Sequence, residues 1–191
     1  GDSTDALGAV DTDLVFVAVP PCRLFDTRVA GGAIAANTVR GFDITAVGDY
    51  SFQGGSNTNC GGVGAAGSFA AAAINFTVVT PTGAGYITAF PFGGTQPLAA
   101  TVNYSAGSIV GNLSVVRLDQ TSAVNELNVY SFAQTHLVAD IVGYFRNPSP
   151  PQLECVNTAF NARTLTAGTT DSVSAPFCPT GHIETSTRCQ S

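Results

Sequence analysis

The chain has no lysine, no methionine and no tryptophan, and only 10% of its residues are charged, against about 25% in an ordinary globular protein. Its basic residues are seven arginines scattered singly, and the net charge is −6. Without a basic stripe to neutralise phosphates, nucleic-acid binding is not expected. The same acidity repels anionic headgroups, which argues against a peripheral membrane role. No apolar run reaches the 18 residues or so that a spanning helix needs, "SFAAAAINFTVV" being the longest contender, so no membrane insertion is expected. Only two histidines occur, His136 and His182, and no cysteines form a Cys-x-x-Cys pair. Zinc spacing and thiol–base signatures are therefore missing, and the expectation is no metal and no cofactor. A chain without methionine does not start on its own initiator. A removed signal peptide is expected, with an excised or internal fragment as the alternative.

What the chain does contain is 45% apolar residues, 21 glycines, 10 prolines and five widely spaced cysteines. There is ample surface to bury, so disorder is not expected. The cysteines, Cys22, Cys60, Cys155, Cys178 and Cys189, read as disulfides of an oxidising compartment.

Along the chain, residues 1–13 carry four aspartates and no apolar periodicity, and read as a flexible or edge-lying leader. Residues 14–147 read as one β-sandwich domain. "LVFVAV" suggests a buried strand, and "TVRGFDITA" places Arg40, Phe42, Ile44 and Ala46 opposite Val39, Gly41, Asp43 and Thr45. From residue 69, strand follows strand: "AAAINFTVVT", "YITAF", "TVNYS", "IVGNLSVVRL", "VNELNVYSF" and "HLVADIVGYF". The short connections "PTGAG", "AGS" and "AQT" suit antiparallel hairpins. The fold class this implies is all-β, an antiparallel sandwich of jelly-roll-like kind. Residues 148–152 form a proline-rich linker. Residues 153–191 form a cysteine-rich appendage, expected to hold a small β-hairpin and to need a staple or a docking partner.

The ordered motifs "PPCRLFDTR", "QGGSNTNCG", "GYITAFPFG", "ATVNYSAG", "VGNLSVVRL" and "HLVADIVGYF" resemble a β-rich domain family of secreted bacterial proteins. That family opens on Cys-Arg-x-x-Asp-Thr-Arg and closes on Asp-[Ile/Val]-Val-Gly-Tyr-Phe. The resemblance covers about residues 14–146. It implies an exported location, often beside enzymes, adhesins or repeats, and no catalytic activity of the domain's own. "APFCPTGHIETSTRC" is similar to the cysteine-rich segment that follows such domains, with His182 where tyrosine is usual.

Because Cys22 and Cys60 both lie in motifs of that family, the resemblance pairs them. A bridge Cys155–Cys178 would flank the appendage hairpin, leaving Cys189 odd or intermolecular, and Cys178–Cys189 is the rival. Arg23, Asp26, Arg28 and Asp140 are the charged cluster. In an extended strand Asp26 and Arg28 share a face with Cys22 and Leu24, while Arg23 falls opposite with Phe25 and Thr27. Asp140 interrupts an apolar strand, where an unpaired carboxylate costs roughly 3 kcal/mol or more, so Arg23 or Arg28 is its expected partner. The catalytic alternative makes Asp26 and Asp140 an acid–base pair in an open cleft.

The asparagines of three Asn-x-Ser/Thr triplets, Asn75, Asn103 and Asn112, fall in expected strands and read as local hydrogen-bonding groups. Tyr50, Phe52, Tyr86, Phe90 and Phe92 are the pool from which a sugar platform could be built. The reading that follows is a non-enzymatic, exported structural or adhesion domain that self-associates through strand edges or joins neighbouring domains. Its alternative is a carbohydrate-binding module of a secreted hydrolase, with a glycan as partner.

Overall fold

The alternating segments form eight strands: β1 Val15–Asp26, β2 Thr38–Phe42, β3 Ala71–Val79, β4 Gly85–Pro91, β5 Val102–Tyr104, β6 Ile109–Arg117, β7 Leu127–Ser131 and β8 His136–Arg146. The structure is a computed structural model that describes residues 14–46, 48–61, 69–121, 124–147 and 166–168. Contacts divide the chain into two units, Gly1–Ser149 and Pro150–Ser191. The leader, the linker, the appendage hairpin and the bridging of Cys155, Cys178 and Cys189 lie outside the described residues. In the second unit only residues 166–168 are described, a turn with Gly168 at φ 87°.

The first sheet has the order β1-β8-β3-β6 and the second β2-β7-β4-β5, with every pairing antiparallel. The first strand therefore pairs with the last, the second with the seventh, the third with the sixth and the fourth with the fifth. This is one long antiparallel ribbon folded over itself into two layers, which is a jelly roll. Among the described residues the helical content is a single 3-10 turn, Ser51–Gln53. No described helix is long and apolar enough to cross a membrane.

The expected hairpins are not formed. "PTGAG" joins β3 in the first sheet to β4 in the second, "AGS" joins β5 to β6, and "AQT" joins β7 to β8, each crossing between layers. Only β4 and β5 are both consecutive and paired, through residues 92–101. The reason is geometric: two consecutive strands that face each other across the core bury the same alternating side chains as a hairpin does, so alternation does not reveal which partner a strand bonds.

The core is the space between the layers. Phe25 from β1 stacks on Phe42 from β2 with ring centroids 3.7 Å apart, and Ile74, Phe76, Ile87 and Ile141 are fully buried around them. The strand expected to be buried at "LVFVAV" is largely exposed instead. Val15 and Phe16 are each 47% exposed, because β1 is an edge strand and Phe16 packs outward on Phe145, 5.1 Å away. Burial in β1 begins at Leu24.

Cys22 and Cys60 are bonded, Cα to Cα 5.5 Å, across 38 residues of sequence. The bridge pins the loop after β2 against the edge of β1, where Ser56 N–H also donates to Arg23 O at 2.8 Å. Closing a loop of that length restricts the unfolded chain by about 4 kcal/mol in the chain-entropy treatment. Reduction, or Cys22→Ala with Cys60→Ala, should lower the denaturant midpoint by an amount worth about 2–4 kcal/mol; an unchanged midpoint would mean the bridge constrains nothing.

Candidate functional site

The charged cluster is built by a β-bulge. Arg23 pairs with Asp140 across β1 and β8, and Phe25 with Ala139, so Leu24 is the extra residue. One added residue inverts the side-chain alternation. Leu24 and Phe25 both turn to the core, and Arg23 joins Asp26 and Arg28 on the outer face of the first sheet. This corrects the expectation that Arg23 lies opposite Asp26.

Arg23 grips Asp140 with Nε to Oδ1 at 2.9 Å and Nη2 to Oδ2 at 3.3 Å. Arg28 grips Asp26 the same way, Nε to Oδ1 at 2.9 Å and Nη2 to Oδ2 at 2.7 Å. Arg23 Nη1 closes the chain by donating to Asp26 Oδ2 at 3.2 Å, and the Arg28 backbone N–H donates to Asp26 Oδ1 at 3.0 Å. All four carboxylate oxygens thus accept arginine N–H groups. The Asp26 side chain is only 3% exposed beneath two half-exposed guanidiniums, and the Arg28 hydrogen bonds hold its carboxyl below the usual range. An acid–base pair needs a carboxyl free to exchange protons with a substrate; these two are committed to arginine. His136 is held similarly, its Nδ1 3.2 Å from Thr27 Oγ1, which accepts the Leu137 N–H at 2.8 Å. Among the described residues no group of three or more His, Cys, Asp or Glu side chains is placed to hold a metal.

A second polar cluster lies at the turn that follows β2. Glu126, just ahead of β7, is 1% exposed. Its Oε2 accepts the backbone N–H of Ile44 at 2.7 Å and of Thr45 at 3.3 Å, while Asp43 Oδ1 accepts Thr45 N–H at 3.0 Å. Gln53 braces the same turn, its Nε2 donating to Asp43 O and Leu24 O, and Tyr50 Oη donates to Ile44 O at 2.7 Å. Burial pushes both carboxyls above their ordinary values, and the Asp43 charge pushes Glu126 further in the same direction. Sequence reasoning missed this pair. The chain offers no clear local signal: in "VNELNV" the acid falls in phase with Asn128, where an exposed polar side chain is ordinary, unlike Asp140 in "LVADIV".

The third feature is the outer face of the second sheet. Register sends Val39 of β2, Asn128 and Tyr130 of β7, Tyr86 and Thr88 of β4 and Asn103 of β5 to this side. Tyr86 lies 5.9 Å from Tyr130 and 5.4 Å from Phe132, centroid to centroid, and Tyr130 Oη donates to Asn37 Oδ1 at 2.9 Å. Two glycines make room for rings. A Cβ on Gly85 would stand 2.8 Å from Phe132, and one on Gly41 would stand 3.0 Å from Phe92. Of the aromatic pool, Tyr86, Phe90 and Phe92 fall on this side, Phe90 by its register opposite Asn128. Phe90 is buried, Tyr50 is in the core, and Phe52 is exposed in the 3-10 turn after β2. Tyr130 and Phe132 were overlooked, although "VYSF" shows their two-residue spacing.

Asn75 Nδ2 donates to Thr77 Oγ1 and Asn112 Nδ2 to Thr101 O, while Asn103 is exposed. A shallow cavity of about 290 Å³ lies where β4, residues 97–101 and the end of β6 meet. Its lining, including Pro91, Pro97, Ala100 and Ser114, has Arg117 as the one ionisable side chain. Comparison with protein-family models, with curated proteins and with solved structures finds no match.

Proposed function

We propose that the chain is a non-enzymatic structural and adhesion domain of the cell exterior, and that it assembles through the free edge of β6. The exterior location draws on the Cys22–Cys60 bridge, which is compatible with an oxidising compartment, and on the resemblance to secreted bacterial β-rich domains. The non-enzymatic reading draws on the mutual neutralisation of Arg23, Asp26, Arg28 and Asp140.

The observation that carries assembly is the contrast among the four sheet edges. The edge of β1 is interrupted by bulges and Pro20–Pro21 and is covered by the bridged loop. β2 and β5 are short, five and three residues. β6 runs nine residues with neither proline nor lysine, and Ile109, Leu113 and Val115 point outward, 56–70% exposed.

Register commits alternate residues of β6 to β3, since Leu118 N–H bonds Ala70 O and Thr80 N–H bonds Ser108 O at the two ends. The backbone N–H and C=O groups of Ile109, Gly111, Leu113, Val115 and Arg117 therefore point away from β3, toward the open side. Such an edge is a template for another strand.

A second copy fits by two-fold antiparallel pairing about Leu113. Gly111 then meets Val115 and Ile109 meets Arg117, so no like charges oppose, even in a chain of net charge −6. Light scattering of unreduced protein over a concentration series should show dimers or larger species. Leu113→Lys and Val115→Lys should return the protein to monomers while leaving its unfolding midpoint nearly unchanged. A monomer at every concentration, or oligomers indifferent to both lysines, would remove the assembly reading.

A further inference from the structure

We infer that the outer face of the second sheet binds a neutral, hydroxyl-rich glycan chain. The inference is independent of assembly, because β6 belongs to the other sheet.

Within its four strands the face carries no charged side chain. The protein is acidic, yet the outward side chains of β2, β7, β4 and β5 include no Asp, Glu, Arg or His; Arg40 pairs with Val129 on the inward register and donates to Gly32 O and Ala33 O. Ligands recognised by charge, such as nucleic acid, phosphorylated peptides or acidic polysaccharide, find no counter-ion there.

What the face presents is rings and carboxamides. Tyr130, Tyr86 and Phe132 form a contiguous group, with Phe132 46% and Phe92 36% exposed. Phe92 lies six positions along from Tyr86, about 20 Å at the ordinary rise of a strand. Asn103 and Asn37 are exposed and Asn128 is partly so. A pyranose offers the matching pattern, an apolar face of C–H groups that lies on an aromatic ring and a rim of hydroxyls that bond to amides and phenols. A purely apolar protein partner would leave those amides unpaired.

A separate observation points the same way. Thr88, between Tyr86 and Phe90 on β4 and opposite Tyr130 on β7, is 1% exposed, and its Oγ1 has no hydrogen-bond partner. Buried hydroxyls are ordinarily satisfied. By register this one is on the outward side, sealed from solvent, so a ligand hydroxyl would bond to it only if the side chains above it, Tyr86 and Tyr130 among its neighbours, moved apart.

The test is electrophoresis of the whole chain, bridge intact, through native gels each holding one soluble polysaccharide: hydroxyethylcellulose, arabinoxylan, galactomannan, amylopectin or β-1,3-glucan, with polygalacturonate as the acidic control. The expected result is retardation in at least one neutral gel and none in polygalacturonate, unchanged by added salt because no ion pair is involved. Tyr86→Ala and Phe132→Ala should each weaken retardation roughly 10-fold. Asn103→Ala, on an exposed side chain, should weaken it without moving the unfolding midpoint, and Leu113→Lys should leave it unaltered. Free migration in every neutral gel, retardation that survives the Tyr86→Ala/Phe132→Ala double variant, or retardation by polygalacturonate alone would overturn the inference.

Discussion

Glu126→Ala is expected to cost the fold about 2–4 kcal/mol, from the stranded Ile44 N–H donor and the void left by the side chain, since the Thr45 N–H keeps Asp43 Oδ1 as its acceptor. Glu126 Oε2 takes the N–H groups of both Ile44 and Thr45, and these belong to the chain leaving β2 that seats Ile44 in the core. Glu126→Gln is the informative contrast. Its amide oxygen can accept the same two donors, and it has no proton to lose.

The direction of the pH effect follows from linkage. Burial raises the Glu126 and Asp43 carboxyls in the folded state, so the unfolded chain releases these protons first. Stability from the pair is complete below the ordinary carboxylate range and declines as pH rises through the raised folded values. In urea titrations at stepped pH, the wild-type midpoint should fall from mildly acidic to neutral solution, and Glu126→Gln should flatten that fall. A Glu126→Gln profile parallel to wild type would show that the pair is not the titrating element.

Arg28→Ala is expected to cost about 2–3 kcal/mol. Breaking a buried ion pair leaves its other charge uncompensated, which alone would cost more, but Arg28 is half exposed and water takes part of its place. The stranded group is Asp26, which keeps only Arg23 as a charged partner. Removing the carboxylate as well, in Arg28→Ala/Asp26→Ala, should restore much of the loss, because the remaining Arg23 still holds Asp140 and reaches solvent.

Here the pH sign is opposite to that of the buried pair. Asp26 titrates below its ordinary value when folded, so its contribution is present above that value and is lost as pH falls through the lowered one. Arg28→Ala should therefore begin acid unfolding at a higher pH than wild type. If it loses no stability, or if the double variant is weaker than the single, the cluster does not brace β1 against β8. Together the two clusters place maximum stability in mildly acidic solution, one eroding it from below and the other from above.

The strands after residue 69 were legible because each carries its own alternation: "AAAINFTVV" and "HLVADIVGYF" state their length and which side is apolar without reference to a partner. Pairing was not legible. β3 bonds β8 and β6 rather than β4, and nothing within "PTGAG" distinguishes a hairpin from a crossing between layers. Nor was the Leu24 bulge, since an inserted residue shows only against the strand opposite, here at Asp140 and Ala139. That bulge decided whether Arg23 could reach Asp26, so the chemistry of the opening motif depended on a register that its nine residues do not contain.

From the residues alone came the β-class, the scarcity of charge, the need of Asp140 for a cation, and the pairing of Cys22 with Cys60 that the motif resemblance implied. The first three follow from local pattern and from the cost of burying an unpaired group, which holds in any fold; the cysteine pairing rests on the resemblance. The tertiary structure alone decided that Glu126 caps the Ile44 turn, that Tyr86, Tyr130 and Phe132 gather on one side of the second sheet, and that β6 is a nine-residue edge strand. Those facts join residues far apart in sequence, and such contacts are selected by how two whole layers fit together.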